Sequence, residues 1–126
     1  MKVWINGCFD VLHYGHFQMI NYAQKLGDEL IIGIDTDERV KELKGNDRPF
    51  HTTKQRRFNL QRIKGVTKVV TFKNEGELIW HIENEEPTIM VIGEEYKTKN
   101  IIGKELFKEI NYFPKVEGFS TTKLLV

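Results

Sequence analysis

The sequence predicts an α/β fold, a single domain built on one open parallel sheet with helices on both faces. Segments typical of strands and segments typical of helices alternate along the chain. The apolar run Leu30–Ile34 is continuous, as in a strand that is covered on both faces. The first strand, helix and strand together take about 35 residues, which fits a βαβ unit with two parallel strands.

The first βαβ unit follows from three segments. Residues 2–6 form an apolar strand, and residues 15–26 form a helix that Gly27 ends as a C-cap. The strand at residues 30–34 completes the unit. The helix is predicted by apolar residues that recur every three positions, namely Phe17, Ile20, Ala23 and Leu26.

The middle of the chain carries two further helices with a loop between them. Residues 35–37 can cap a short helix that reaches about residue 43. Residues 44–49 combine Gly, Asn, Asp and Pro, which break any periodic element and indicate a loop. Thr52 and Gln55 have the spacing of a capping box, so a helix begins there and ends near Gly65.

The rest of the chain repeats the alternation of strands and helices. A last helix is predicted at the C-terminal end, where Ser120, Thr121 and Thr122 can cap it. The other elements, in chain order, are a strand at 66–72, a helix at 77–85, a strand at 88–92, a short helix at 103–109 and a strand at 111–113.

Composition and charge restrict the class of protein. The 126 residues suffice for one domain over residues 1–126, and 40% hydrophobic with 29% charged residues is the balance of a soluble globular protein. A net charge of +1 favours neither nucleic acid nor a membrane as a partner, and no apolar run has the length of a membrane span. Because Cys8 is the single cysteine and the N-terminus enters a strand directly, we expect the reducing cytoplasm and no signal peptide.

Two histidines mark the turn between the first strand and the first helix. His13 and His16 lie three residues apart, so both project from one face of the first helical turn. Free backbone N–H groups and the positive end of the helix dipole point the same way, which makes an anion site, most naturally for phosphate. Two other interpretations stay open: a metal half-site together with Cys8, and histidines that are ordinary capping or surface residues.

The segment from Asn6 to His16 reads N-G-C-F-D-V-L-H-Y-G-H and follows a strand. It resembles the signature of the HxGH nucleotidyltransferase superfamily, in its cytidylyltransferase-like branch. Leu43–Pro49 is similar to a loop of the adenylyltransferase domain of ADP-heptose synthase, and Glu117–Lys123 is similar to a run of the glycerol-3-phosphate cytidylyltransferases. The resemblance covers residues 2–124 and implies a Rossmann-like domain, for which we expect a five-stranded parallel sheet. Neither a Walker A loop nor a G-x-G-x-x-G fingerprint occurs, which argues against a kinase-type ATPase or a dehydrogenase.

The resemblance implies a triphosphate site around the two histidines. His13, His16 and Lys44 take the catalytic role, Arg56 meets the phosphate of the acceptor, and Asp10 shapes the pocket and binds substrate. Mg²⁺ accompanies the nucleotide, with no metal ligand expected from protein side chains. The implied nucleotide-binding residues are Gly7, Cys8, Phe9, Asp10, His13, His16, Lys41, Lys44, Glu95, Lys115, Ser120, Thr121 and Thr122.

Two places depart from the pattern of the resembled enzymes. Glu94 and Glu95 stand where those enzymes carry two aspartates or Gly-Asp, so the carboxylate of Glu95 lies one methylene further out. Lys115 replaces an arginine just ahead of the Ser120–Thr122 run, and lysine supplies a point charge in place of a planar fork. A nucleotide-binding module that has lost turnover is therefore an alternative of another class.

The predicted reaction transfers a nucleotidyl group from an NTP to a phosphorylated polyol or sugar and releases pyrophosphate. Chain size and the run E-G-F-S-T-T favour CTP and glycerol 3-phosphate, which is the narrow preference. The runs N-G-C-F-D and L-K-G-N-D-R-P favour the alternative, ATP and heptose 1-phosphate. The resembled enzymes are homodimers, and Trp80 and Phe107 are candidates either for an apolar interface or for the core.

Overall fold

A computed structural model gives the architecture of residues 1–114. The elements in chain order are β1 (Lys2–Gly7), α1 (Tyr14–Gln24), β2 (Glu29–Asp35), α2 (Asp37–Lys44), α3 (Thr53–Gln61), β3 (Lys68–Phe72), α4 (Glu75–Glu85), β4 (Ile89–Gly93) and β5 (Glu109–Phe113), with single 3₁₀ turns at Glu94–Tyr96 and Lys104–Leu106. In this part of the chain, helices connect the first four strands as the sequence predicts, with two successive helices between β2 and β3, whereas only 3₁₀ turns lie between β4 and β5.

The five strands form one sheet in the order β3-β2-β1-β4-β5, and every neighbouring pair is parallel. The central strand β1 therefore pairs with β2 on one side and with β4 on the other. Open parallel sheets bind ligands at the carboxyl ends of the strands where the order reverses, which here is between β1 and β4. The predicted α/β class and five-stranded parallel sheet are confirmed.

Helices cover both faces of the sheet because alternate strand residues point to opposite sides. Along β1, Val3 and Ile5 enter one core and Trp4 enters the other, and all three are at most 1% exposed. The first core packs under α1 and α3, and the second packs under α4. None of the helices in the described part of the chain is long and apolar enough to cross a membrane.

Trp4 connects the second core to the end of β1. A Cβ atom on Gly33 of the neighbouring strand would lie 2.7 Å from ring atom Cζ2 of Trp4, so only glycine leaves room for the indole there. The indole Nε1 donates a hydrogen bond to Oδ1 of Asn6 at 2.9 Å. This bond fixes Asn6 at the carboxyl end of β1, where the candidate site begins.

Several element ends differ from the sequence prediction. α1 ends at Gln24 with Lys25 as its C-cap, instead of ending at Leu26 with Gly27 as the C-cap. Phe17 is 46% exposed, because residues spaced by three drift by about 60° per step around a helix. The helix predicted over residues 103–109 is a single 3₁₀ turn, since Gly103 has φ of +80° and Phe107 is already extended. The capping box of Thr52 and Gln55 is present at the start of α3, as predicted.

Candidate active site

A pocket of about 580 Å³ lies at the carboxyl ends of β1, β2 and β4, where the strand order reverses. It brings together the turn after β1, the first turns of α1, one side of α2 and the segment after β4. The predicted site residues that line this pocket are Gly7, Cys8, Phe9, His13, His16, Lys44 and Glu95.

His13 and His16 cap the first turn of α1. His13 is the N-cap residue, and its Nδ1 accepts a hydrogen bond from the backbone N–H of Gly15 at 3.1 Å. In return, Nδ1 of His16 accepts from the backbone N–H of His13 at 3.3 Å. The two rings stack with centroids 3.9 Å apart and planes 22° apart. The two imidazoles thus take the places that Ser or Thr and Glu or Gln usually fill in a capping box.

The capping hydrogen bonds define the protonation state of the two rings. Because each Nδ1 accepts a backbone N–H, it carries no proton, and the neutral ring keeps its proton on Nε2. Burial lowers the pKa of His13. Burial, and then the neighbouring His13 and Lys44, lower the pKa of His16 to about 4. At neutral pH the pocket is therefore lined by two uncharged imidazoles with Nε2–H donors.

Phe9 packs against this pair. It has φ of +51°, in the left-handed region that aromatic residues rarely adopt, and its side chain is 4% exposed. Its ring lies 5.2 Å from the ring of His16. A Cβ atom on Gly7 would lie 3.3 Å from the Phe9 ring, which is a tight contact. Backbone strain of this kind persists only where the surroundings hold it, and it is common at functional turns.

Asp10 ties the loop after α2 to the turn after β1. Its carboxylate accepts from the backbone N–H groups of Phe50 and His51, both at 2.7 Å, and from Nε of Arg48 at 3.3 Å. Its backbone carbonyl lies 2.9 Å from Nδ1 of His51. The Asp10 side chain is 1% exposed and does not line the pocket, so a direct contact with substrate does not fit its position. Asp10 shapes the pocket by holding Arg48, which does line it.

The position of Arg56 does not fit the prediction that it meets the acceptor phosphate. Its side chain is 0% exposed, and the pocket lining does not include it. The physical reason is that its guanidinium satisfies backbone carbonyls where several elements meet. Its N–H groups donate to five oxygen atoms of the fold: His51 O at 3.0 Å, Cys8 O at 3.0 Å, Asp35 O at 2.7 Å, Asp37 Oδ1 at 2.9 Å and Thr53 Oγ1 at 3.2 Å.

The segment after β4 forms another wall of the pocket. Glu95 lines the pocket, and its carboxylate packs so closely on Gly93 that a side chain at position 93 would collide with it. Glu94 is exposed and does not line the pocket. Tyr96, which was not among the predicted site residues, does line it. Burial raises the pKa of Tyr96, and the carboxylates of Glu95 and Asp35 raise it further, so the phenol stays protonated.

The profile of the family described as Cytidylyltransferase-like matches residues 4–124. The chain belongs to the cytidylyltransferase-like family. The resemblance drawn from the sequence is thereby confirmed, and membership assigns the chain to the nucleotidyltransferases.

Relatives of this member of the family are similar over almost its whole length. Bifunctional protein HldE of a Nitratiruptor species is 41% identical over 125 residues, which cover 98% of this chain and 26% of that protein. Bifunctional protein HldE of Helicobacter hepaticus is 40% identical, with 98% and 25% covered. The chain thus spans about a quarter of the length of these curated relatives.

Solved structures support the fold of this family member. A lipopolysaccharide core biosynthesis protein from Thermoplasma volcanium superposes with a TM-score of 0.73 at 23% identity, covering 93% of this chain and 98% of that one. A protein of unknown function from Archaeoglobus fulgidus gives a TM-score of 0.65 at 20% identity, covering 96% and 93%. At this level of identity, the likeness concerns the fold alone.

The pocket of this cytidylyltransferase-like chain holds cations that the sequence did not indicate as site residues. Arg39 and Arg48 line it beside the predicted Lys44, whereas Lys41 is exposed and does not line it. The helical spacing could have indicated Arg39. It lies one helical turn before Leu43, where the Leu43–Pro49 segment begins, so both side chains project from the same face of α2.

The side chains of residues 1–114 do not form a recognisable metal site. Residues 1–114 contain no group of three or more His, Cys, Asp or Glu that could hold a metal ion. Burial raises the pKa of Cys8, outweighing the opposite effect of Lys44 and Arg56, so the sulfur stays a thiol at neutral pH. Mg²⁺ bound with the nucleotide stays a prediction.

The last predicted contacts of the family pattern fall outside the described residues. These are the phosphate contacts of Lys115, Ser120, Thr121 and Thr122, and they stay predictions. The described part ends at the pocket itself, because Phe113 and Pro114 both line it. The chain therefore enters its undescribed segment from the edge of the candidate site.

Proposed function

We propose that this chain transfers an adenylyl group from ATP to the phosphate of a heptose 1-phosphate, with release of pyrophosphate. The observation that carries the transfer is the stacked, neutral pair His13 and His16 in one pocket with Lys44. The acceptor class is supported by the identity of about 40% to HldE proteins across the chain, which favours heptose 1-phosphate over glycerol 3-phosphate.

The proposed reaction needs no protein nucleophile. A phosphate oxygen of the acceptor attacks the α-phosphorus of ATP in line, and the bond from the α-phosphorus to the bridging β-phosphate oxygen breaks. The products are the ADP-sugar and pyrophosphate, so atoms and charges balance. Catalysis then consists of positioning the two phosphates and stabilising charge in the transition state.

The histidine pair suits this role because it donates hydrogen bonds without a net charge. Each Nε2–H is set by a backbone hydrogen bond to Nδ1 of the same ring, so the donors are fixed before substrate arrives. Lys44 supplies positive charge in the same pocket. Mg²⁺ would neutralise part of the charge of the triphosphate. Phosphate oxygens and water molecules, rather than protein side chains, would hold the ion.

CTP and glycerol 3-phosphate stay the candidates for a second pair of substrates. The run E-G-F-S-T-T at residues 117–122 favours CTP and glycerol 3-phosphate by resemblance. A nucleotide-binding module without turnover is the candidate of another class, and the departures at Glu95 and Lys115 favour it.

The test is pyrophosphate release by the purified chain. ATP and CTP are each combined with a heptose 1-phosphate and with glycerol 3-phosphate, in Mg²⁺. We expect release with ATP and the heptose phosphate, and its loss in His16→Ala but not in the control Arg57→Met, which changes an exposed residue outside the pocket. If pyrophosphate is released only with CTP and glycerol 3-phosphate, the proposed nucleotide and acceptor are wrong. If ATP binds but no pyrophosphate is released, the result supports a nucleotide-binding module without turnover.

We also propose that the chain assembles as a homodimer. Trp80 on α4 is 59% exposed, so its indole is available for an apolar contact with a second copy. Phe107 packs against the second core and is not a candidate for the interface. Sedimentation at micromolar concentration should give a dimer that Trp80→Glu weakens. A monomer throughout the wild-type series would contradict the proposal.

A further inference from the structure

Two oppositely charged residues, Asp35 and Arg39, line the pocket on its α2 side. Asp35 is the last residue of β2, and Arg39 lies in the first half of α2. Nε of Arg39 donates to Oδ1 of Asp35 at 2.8 Å, and each side chain is only 14% exposed. The Arg39 guanidinium also lies 5.6 Å from the ring centroid of Phe72, which is 1% exposed. The pair is therefore held in place from two sides before any ligand binds.

This pair keeps hydrogen-bonding capacity that Arg56 and Asp10 lack. Arg56 places all its N–H groups on the fold, and Asp10 uses both carboxylate oxygens. Within residues 1–114, the hydrogen bonds of the Arg39 and Asp35 side chains are limited to the one between them. A guanidinium has five N–H donors and a carboxylate has about four acceptor sites, so both partners retain groups that can face a ligand.

The position of the pair indicates which substrate it meets. Lys44 lies close enough to His16 to lower its pKa, so Lys44 belongs with the histidines at the transferred phosphate. Arg39 precedes Lys44 by five residues, a separation of about 7.5 Å along the helix axis. The proposed reaction brings two anions into one pocket, the triphosphate and the acceptor phosphate. Arg39 is paired with Asp35 at the end of β2, away from the Lys44 end of α2, and this position suits the acceptor phosphate.

We propose that the Asp35–Arg39 pair binds the acceptor and selects a phosphorylated polyhydroxy compound. The terminal N–H groups of Arg39 donate to the acceptor phosphate, a charge-assisted contact. The carboxylate of Asp35 accepts a hydrogen bond from a hydroxyl of the same molecule and keeps the guanidinium oriented. This inference rests on the proposed function and replaces Arg56 as the residue that meets the acceptor.

The test compares kinetics and binding in Arg39→Met, Arg39→Lys and Asp35→Asn. The control is Arg62→Met, because Arg62 also lies over a phenylalanine ring, that of Phe58, but outside the pocket. We expect Arg39→Met to raise the KM for heptose 1-phosphate by about 10-fold to 100-fold, the effect of losing a hydrogen bond between charged groups. The KM for ATP should change less than about threefold, and Arg39→Lys should restore part of the acceptor KM.

A parallel binding experiment separates this inference from the proposed function. Heptose 1-phosphate and glycerol 3-phosphate are titrated calorimetrically into the chain with a non-hydrolysable ATP analogue present. If the wild type binds a sugar phosphate and Arg39→Met does not, the inference holds even when no pyrophosphate is released. The inference is overturned if wild type and Arg39→Met bind the acceptor equally well or have the same KM for it. It is also overturned if Arg39→Met weakens ATP and the acceptor to the same extent. Absence of acceptor binding by the wild type also overturns it.

Discussion

Replacing Arg56 by Met should remove much of the protein's stability while leaving the pocket lining intact. Met keeps the apolar stem but removes five hydrogen bonds. The Asp37 side chain is 38% exposed, so water can replace that partner. The carbonyls of Cys8, Asp35 and His51 lose a buried donor, at about 1–3 kcal/mol each before relaxation.

Since the three losses overlap, we expect the free energy of unfolding to fall by about 3–5 kcal/mol, less than the sum of three full losses. That is a large part of the roughly 5–15 kcal/mol typical of a domain. The assay is urea denaturation followed by circular dichroism. The matched control is Arg57→Met at the next position, which is exposed and should change the value by less than about 0.5 kcal/mol.

The result that would refute this reasoning is an Arg56→Met protein with wild-type stability and a raised acceptor KM. Arg56 would then act on substrate, as the family resemblance implies, and its buried position would need another explanation. A loss of stability with an unchanged acceptor KM in the folded fraction would support the structural role.

Three further predictions concern the pocket. His16→Ala should lower kcat by roughly 10²–10³ with little change in ATP affinity, because the lost donor acts on the transition state; single-turnover kinetics beside direct ATP binding checks this. Lys44→Ala should chiefly weaken ATP binding, measured in the same titration, and a larger effect on kcat than on affinity would contradict it. As pH falls from 6.5 towards about 4, the unfolded chain binds a proton at His16 that the folded chain does not, so stability falls across this window. Denaturation curves of wild type and His16→Asn should diverge there by about 3 kcal/mol at most, and parallel curves would show that the ring titrates normally.

The sheet and most of its helices could be predicted from sequence because their signals are local and repeated. The continuous apolar run at residues 30–34 and the capping box of Thr52 and Gln55 each depend on a few neighbouring residues. The short helix predicted at residues 103–109 was wrong, because the positive φ of Gly103 and the start of β5 decide that segment. Such backbone choices depend on the neighbouring strand, which a local pattern does not contain.

The residues in the candidate site were predicted better than their partners. His13, His16 and Lys44 line one pocket, but no local pattern indicated that the imidazoles cap each other. Arg56 and Asp10 carry the right chemistry for substrate, yet their hydrogen bonds are taken up by residues distant in sequence. Whether a charged side chain serves the fold or a ligand depends on the oxygen atoms around it, and these become neighbours only after folding.

The central place of β1 has a consequence for the order of folding. The first 35 residues supply β1, α1 and β2, whose pairing runs from Lys2 and Glu29 to Gly7 and Ile34. The other edge of β1 stays unpaired until Ile89 and Met90 have been synthesised. At about 5–20 residues per second, the ribosome adds these residues several seconds later. During that interval, an apolar strand edge is open to pairing with another nascent chain. We therefore expect aggregation during synthesis to depend on how early β4 emerges, and a circular permutant that begins at β4 to express with fewer inclusion bodies.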